Sequence, residues 1–227
     1  MIARCISAAD VAAAVTYAGE HGLEVSVRGG AHSPAGTAVC DGGLMIDLSL
    51  LSHVGVDPVA RRATVGGGAL LGDVDAAAQA HGLAVPAGLV SHTGVGGLTL
   101  GGGMGWLTRK FGLSIDNLVS AEVVTADGQV RRPCAGEHPD LFWAIRGGGG
   151  NFGVVTAFEF ALLQVDPIVR FGLFFWPLDQ GAQALRLTRE ITAAMPPEIN
   201  AVAGAVNAPP APFVPPEHHF APVTCCC

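Results

Sequence analysis

The segment Val27-Arg28-Gly29-Gly30-Ala31-His32-Ser33 sets one imidazole, His32, two residues beyond a glycine pair. Successive backbone N–H groups in a glycine-rich turn form a concavity that binds anions. A neutral imidazole nitrogen is a nucleophile. An anionic cofactor could therefore lie against this turn with His32 beside it. A lone turn histidine is more often simply exposed to solvent, so the weight falls on what accompanies it. Two further glycine clusters follow, Gly94–Gly105 and Gly147–Gly150. A P-loop needs a Gly-Lys-Ser/Thr step, and the sole lysine, Lys110, follows Arg109. Gly148, Gly150 and Gly153 match the spacing of a dinucleotide fingerprint. That fingerprint follows a strand and opens a helix. Here the pattern predicts the reverse order, which excludes a Rossmann reading.

Composition narrows the partners. With 12 Lys+Arg against 19 Asp+Glu the net charge is −7, so nucleic acid and anionic membrane surfaces, which need clustered cations, are not expected partners. Half of the 227 residues are hydrophobic, enough to bury a core and unlike a disordered chain. Glycine supplies 32 residues, about twice the usual share of roughly 7%. Ala76–Thr108 carries no Asp, Glu, Lys or Arg, longer than the roughly 20 residues of a spanning helix. Pro86 and the many glycines make it a buried, loop-rich segment instead. No signal-peptide pattern opens the chain, so a cytoplasmic location is the default expectation.

Several elements must position these residues. Ser7 to Asp10 reads as a helix start, and Val11, Val15 and Ala18 line one face until His21-Gly22. Strands are expected at 23–28, 44–48, 53–57 and 62–65, the last ending in Gly66-Gly67-Gly68. A helix over 69–80 and a short extended piece at 83–86 follow. Segments 121–125 and 129–132 form a hairpin about Ala126-Asp127-Gly128. A helix at 139–145, with Phe142-Trp143 packed inward, precedes a strand at 153–160. A new unit starts near Asp166-Pro167, with a strand to Trp176, a helix over 178–194 and a strand over 200–206. The prolines at 209, 210 and 212 then break the pattern, leaving Cys225-Cys226-Cys227 as an irregular end. The order is α+β and not a regular βαβαβ alternation.

Six segments occur in order: Val27–Ser33, Gly94–Gly105, Gly112–Leu118, Glu122–Gly128, Asp140–Gly147 and Gly150–Thr156. In that order and spacing they closely resemble the FAD-binding domain of the vanillyl-alcohol oxidase / p-cresol methylhydroxylase (PCMH-type) superfamily. The branch they resemble most is that of the berberine bridge enzyme-like FAD-linked oxidoreductases. The resemblance implies a PCMH-type FAD-binding domain of two α+β subdomains over residues 1–165. A truncated α+β substrate domain would then span 166–227. It implies FAD bound by Arg28, Gly29, Gly30, Ala31, His32 and Ser33 around the pyrophosphate, with His32 bonded covalently to the flavin. Val90, Gly94, Val95, Gly96, Gly97, Gly101, Gly102, Gly103 and Gly105 would line the cofactor along a second loop. Asp116 and Asn117 would lie near the flavin, and Gly153 and Val154 on a final cofactor strand.

Three departures matter. Val90 stands where some members carry a second, cysteinyl flavin link, so a single bond is expected. Ala31 stands where members commonly have glycine, a mild change unless its φ is positive. The residues that serve as catalytic base in the family lie beyond those present. The resemblance thus implies an FAD-dependent oxidoreductase, a small organic substrate, and dioxygen or another electron acceptor, with this stretch alone inactive. A non-catalytic FAD-binding remnant, or a nucleotide- or sugar-binding module without redox activity, remains the alternative. No metal is expected: His218-His219 lacks a third ligand at metal spacing. Asp73 and Asp75 read as a solvated helix face.

Overall fold

The computed structural model describes all 227 residues, which divide into two compact units, Met1–Pro167 and Ile168–Cys227. In the first, β1 (Ile2–Arg4), α1 (Ala8–Glu20), β2 (Val25–Arg28) and β3 (Leu44–Asp47) come first. Then follow β4 (Val54–Asp57), β5 (Arg62–Gly66), α2 (Leu71–Gln79), β6 (Leu83–Ala84), α3 (Val95–Leu100) and α4 (Thr108–Phe111). β7 (Leu118–Val124), β8 (Val130–Arg131), α5 (Pro139–Ile145), β9 (Val154–Ala161) and β10 (Leu163–Gln164) complete it. The second unit contains β11 (Phe174–Pro177), α6 (Gly181–Ala194), β12 (Ala203–Asn207) and β13 (Pro222–Cys226).

The first unit is built on two sheets. Strands β1, β3 and β2 form a parallel three-stranded sheet in that order. Strands β4-β5-β9-β7-β8 form an antiparallel five-stranded sheet, and β6 pairs with β10. Side chains alternate across a strand, and β7 and β9 use both faces. Val123 and Val155 enter a core with Val65, Val74, Val95, Phe142, Ile145, Phe158 and Phe160. Their neighbours Val124 and Val154 enter a second core with Val11, Ala14, Leu44 and Ile46. The end of one sheet thus serves as a wall of both α+β subdomains. No helix of the structure is long and apolar enough to cross a membrane.

Local chemistry explains most element ends. The Ser7 hydroxyl accepts the Asp10 N–H at 3.2 Å, and the Asp10 carboxylate accepts the Ile6 N–H at 3.0 Å, which fixes the start of α1. In the β7–β8 hairpin Gly128 takes φ +74°, the conformation the Asp-Gly turn supplies. The Thr125 hydroxyl, the Gln129 N–H and Arg131 hold the Asp127 carboxyl down at about 2. Exposed Asp73 accepts the Leu70 N–H at 3.0 Å at the entry to α2.

Two expectations are corrected and two elements are added. Within the loop-rich stretch 88–105 a short helix, α3, forms with Gly96 and Gly97 inside it. Helix propensity is a weak prior, and at Gly96 the absent side chain lets the Gly67 carbonyl oxygen approach closely, 3.0 Å from where a Cβ would stand. The N-terminal residues form an edge strand, β1, whose three residues are too few for a legible alternation. The C-terminal segment does not end in irregular chain: β13 is the central strand between β11 and β12, and it carries Cys225 and Cys226. The proline run before it interrupts the pattern without ending the sheet. Finally, Phe142 packs inward, whereas Trp143 on the same helix is 78% exposed.

Two features of this scaffold give testable consequences. Asp47 is buried at the end of β3, accepting the Ser49 N–H at 3.0 Å and the Arg28 guanidinium at 3.3 Å, with Arg4 at 3.9 Å. Burial by itself raises the pKa of this carboxyl, but the Ser49 hydrogen bonds and the two arginines outweigh it and the net shift is downward. Its contribution is therefore complete above the unfolded carboxyl value of about 3.9 and is lost as pH falls through the lower folded value. Asp47→Asn should cost about 1–3 kcal/mol at pH 7. Urea unfolding at pH 7 and pH 3 should show the gap from wild type shrinking at the lower pH. Ala31 has φ +53°, so the alanine is strained where glycine would not be. The left-handed conformation costs an L-residue about 1–2 kcal/mol, of which glycine gives back about 0.4–1 kcal/mol through its freer unfolded chain. Ala31→Gly should stabilise the protein by up to about 1 kcal/mol, read as a raised urea midpoint.

Candidate functional site

The parallel sheet delivers the first loop. β2 ends at Arg28, whose guanidinium is committed to Asp47. The chain then turns through Gly29–Ser33, where the backbone N–H groups of Gly30, Ala31, His32 and Ser33 donate to no protein acceptor. The side chains of His32 and Ser33 are exposed, and the Ser33 hydroxyl lies 3.1 Å from that of Thr37. Four consecutive backbone donors without partners, in a turn that includes a positive φ, are the donor set of an anion-binding nest.

The second loop, Val90–Gly97, is fastened to the beginning of α2. The Leu71 N–H donates to the Thr93 carbonyl at 2.9 Å, the Gly72 N–H to Ser91 at 2.8 Å, and the Val95 N–H to Ala69 at 2.9 Å. The two loops meet backbone to backbone: a Cβ on Gly30 would overlap the Gly94 nitrogen, and one on Gly94 would overlap the Gly30 nitrogen. Gly67 extends the contact. Its carbonyl oxygen faces Gly29 and Gly96, its N–H donates to Thr156 at 2.8 Å, and a Cβ on it would overlap the Val155 carbonyl. Gly97 has nothing within 4 Å of a Cβ position, so that side is open. Val90 is 41% exposed and carries no thiol.

The remaining candidates serve the structure around these loops. Gly101 caps α3, and Gly102 and Gly103 take φ +119° and +77°. Buried Ser114 donates to the Pro86 carbonyl at 2.6 Å and lies 3.2 Å from that of Gly103. Gly105 packs against the Ala87 carbonyl. Asp116 accepts the Leu113 N–H at 2.8 Å and lies 3.6 Å from Arg146. Asn117 donates to the Phe111 and Leu113 carbonyls, both at 3.0 Å. The Asp116 carboxylate and the Asn117 amide nitrogen are thus engaged within the protein. Gly153 has φ +143° against the Val124 carbonyl, and the Val154 side chain is buried in the core of α1 and β3.

The structure therefore brings Gly29, Gly30 and His32 together with Gly94 and Gly96, and reaches β9 through Gly67. Two members of this cluster were not singled out from the sequence. Gly66–Gly68 was visible as a glycine run but looked like the end of a strand. His92 lies across from His32, with ring centroids 4.7 Å apart and planes tilted by 52°. Its signal was a mirror symmetry: His32 stands two residues after Gly30, and His92 two before Gly94.

These residues fit a dinucleotide. Free N–H groups meet a pyrophosphate's negative charge, absent side chains let backbone approach it, and an exposed imidazole stands in the same turn. Comparison with known proteins agrees. Over 176 residues the chain is 46% identical to (R)-6-hydroxynicotine oxidase of Paenarthrobacter nicotinovorans, covering 78% of this chain and 38% of that protein. A crystal structure of 6-hydroxy-D-nicotine oxidase from Arthrobacter nicotinovorans superposes with TM-score 0.89 at 39% identity, covering 100% of this chain and 48% of the other. Glucooligosaccharide oxidase from Acremonium strictum, whose FAD is 6-S-cysteinyl, 8α-N1-histidyl, superposes with TM-score 0.81 at 31% identity, covering 99% and 46%. The chain thus spans less than half the length of these relatives. Residues 1–133 of the 227 match the FAD binding domain family, and the chain belongs to that family, with the mixed α+β fold of the PCMH-type oxidases.

Proposed function

We propose that this chain holds FAD against the Gly29–Ser33 and Val90–Gly97 loops through one covalent bond to His32. The protein to which these loops belong would oxidise a small organic substrate. The observation that carries this reading is the exposed His32 ring within a turn of four unpaired backbone donors, pressed against a second glycine loop. The glucooligosaccharide oxidase neighbour, with its histidyl FAD, supports it.

The roles divide as follows. The N–H groups of Gly30–Ser33 receive the pyrophosphate, and Gly94 and Gly96 allow the second loop to close beside it. His32 supplies the ring nitrogen of the covalent link. Val90, with no sulfur, leaves that link single. When bound, the flavin supplies hydride-accepting chemistry that protein side chains lack. The names of the relatives, a hydroxynicotine oxidase and an oligosaccharide oxidase, support a small alcohol, amine or sugar as the substrate class. Dioxygen or another acceptor would take the electrons. The ring contact of His32 is with His92 of the second loop. Turnover needs the reacting carbon held about 3–3.5 Å from its acceptor, and residues outside this chain would complete that pocket.

After loading with FAD and acid precipitation, flavin fluorescence should remain on the wild-type protein. His32→Ala should release all of it into the supernatant. Peptide mass mapping should place the adduct on the His32 peptide and none on Cys40 or Cys134. Complete release from the wild type would overturn the covalent assignment.

A further inference from the structure

His32 and His92 are both exposed at loop positions, so neither ring is oriented by burial. Each nevertheless has a defined neighbour, because the two rings face each other at 4.7 Å and 52°. The cause lies in the backbone. The loops touch where Gly30 lies on Gly94, and the histidines stand two residues from that contact on either strand. Hydrogen bonds from Leu71 and Gly72 fix the His92 side of the pair, through the carbonyls of Thr93 and Ser91. His92 is thus carried on the firmly tied loop, and His32 on the loop whose N–H groups are free.

We propose that His92 is a positioning residue for the attachment of flavin to His32. Its ring packs against the His32 imidazole and limits the side-chain rotations open to it. A ring nitrogen of His32 is thereby presented in one direction. An exposed histidine without such a neighbour samples several staggered rotamers, and bond formation needs the reacting atoms held in an aligned pose. This inference rests on the proposed covalent link. Overall, attachment forms a C–N bond between a His32 ring nitrogen and the flavin 8α carbon. The imidazole N–H and one methyl C–H are lost. Two electrons and two protons pass to dioxygen, giving hydrogen peroxide.

The role is one of shape and contact, so an aromatic ring without nitrogens should replace it. The full 227-residue chain is incubated with FAD in air, and intact mass spectrometry follows the fraction carrying acid-stable flavin with time. His92→Ala should slow attachment by about tenfold or more. His92→Phe should stay within about threefold of wild type. Attachment rates are compared at saturating FAD, the saturating concentration being set for each variant by fluorescence quenching on the His32→Ala background. Nuclear magnetic resonance of ring-labelled histidine should show the His32 ring signals moving on loss of His92, with or without flavin. Attachment in His92→Ala at the wild-type rate overturns the proposal and leaves the His32 link standing. So does a His92→Phe variant as slow as alanine, which would assign His92 a chemical role. Wild-type protein with no acid-stable flavin overturns the covalent link itself, and this inference with it.

Discussion

The contact of the Gly30 backbone with the Gly94 backbone is the constraint on which the site depends. Two loops from different subdomains cross there with no room for a Cβ on either. The parts proposed to hold FAD are measured from that crossing: the unpaired donors lie just after Gly30, and α3 begins just after Gly94. Gly67 repeats the device one layer deeper, where its carbonyl sits under Gly29 and Gly96. Backbone packed on backbone cannot adjust by changing rotamers, so the approach of the two loops is set by main-chain contact, with the Val90–Gly97 side tied by hydrogen bonds to the start of α2. That suits a surface that must present N–H groups at fixed positions to a charged cofactor, where preorganised donors cost no rearrangement on binding.

The scaffold around the crossing is divided by stiffness. β7 and β9 place alternate valines in two cores, which ties the subdomain of α1 and β3 to that of α2, α3 and α5. The buried Asp47 ties the end of β2, through Arg28, to the end of β3. The Gly29–Ser33 turn itself is left open, with free donors, exposed side chains and a strained alanine. Strain and unmet donors of this kind concentrate at binding sites, where the surrounding fold over-determines them.

Much of this was legible in the sequence, for identifiable reasons. The helices α1 and α5 announce themselves by Ser7 and by Pro139, and the β7–β8 hairpin by Asp127-Gly128. The ordered glycine motifs pointed to the family, and residues 1–133 match it. What was not legible depends on long-range contact. Gly96 of α3 reads as loop because its neighbour, the Gly67 carbonyl, is distant in sequence. Strand β13 follows a proline run, and its place between β11 and β12 is a property of the sheet and not of the segment. The positive φ of Ala31 cannot be read from an alanine. The His32–His92 pair joins residues 60 positions apart, and their matching offsets from Gly30 and Gly94 carry meaning only once those two glycines are seen to meet.

The claim that a side-chain-free crossing makes the cofactor surface is tested most directly by adding one methyl group to it. FAD binding by Gly94→Ala should be measured by equilibrium dialysis beside the wild type, with the urea midpoint recorded for both. Overpacking of this kind costs about 1–3 kcal/mol, so the account predicts a folded protein that binds FAD roughly fivefold to a hundredfold more weakly. Wild-type affinity in Gly94→Ala would contradict it, because the loops would then be shown to tolerate separation without loss of the site.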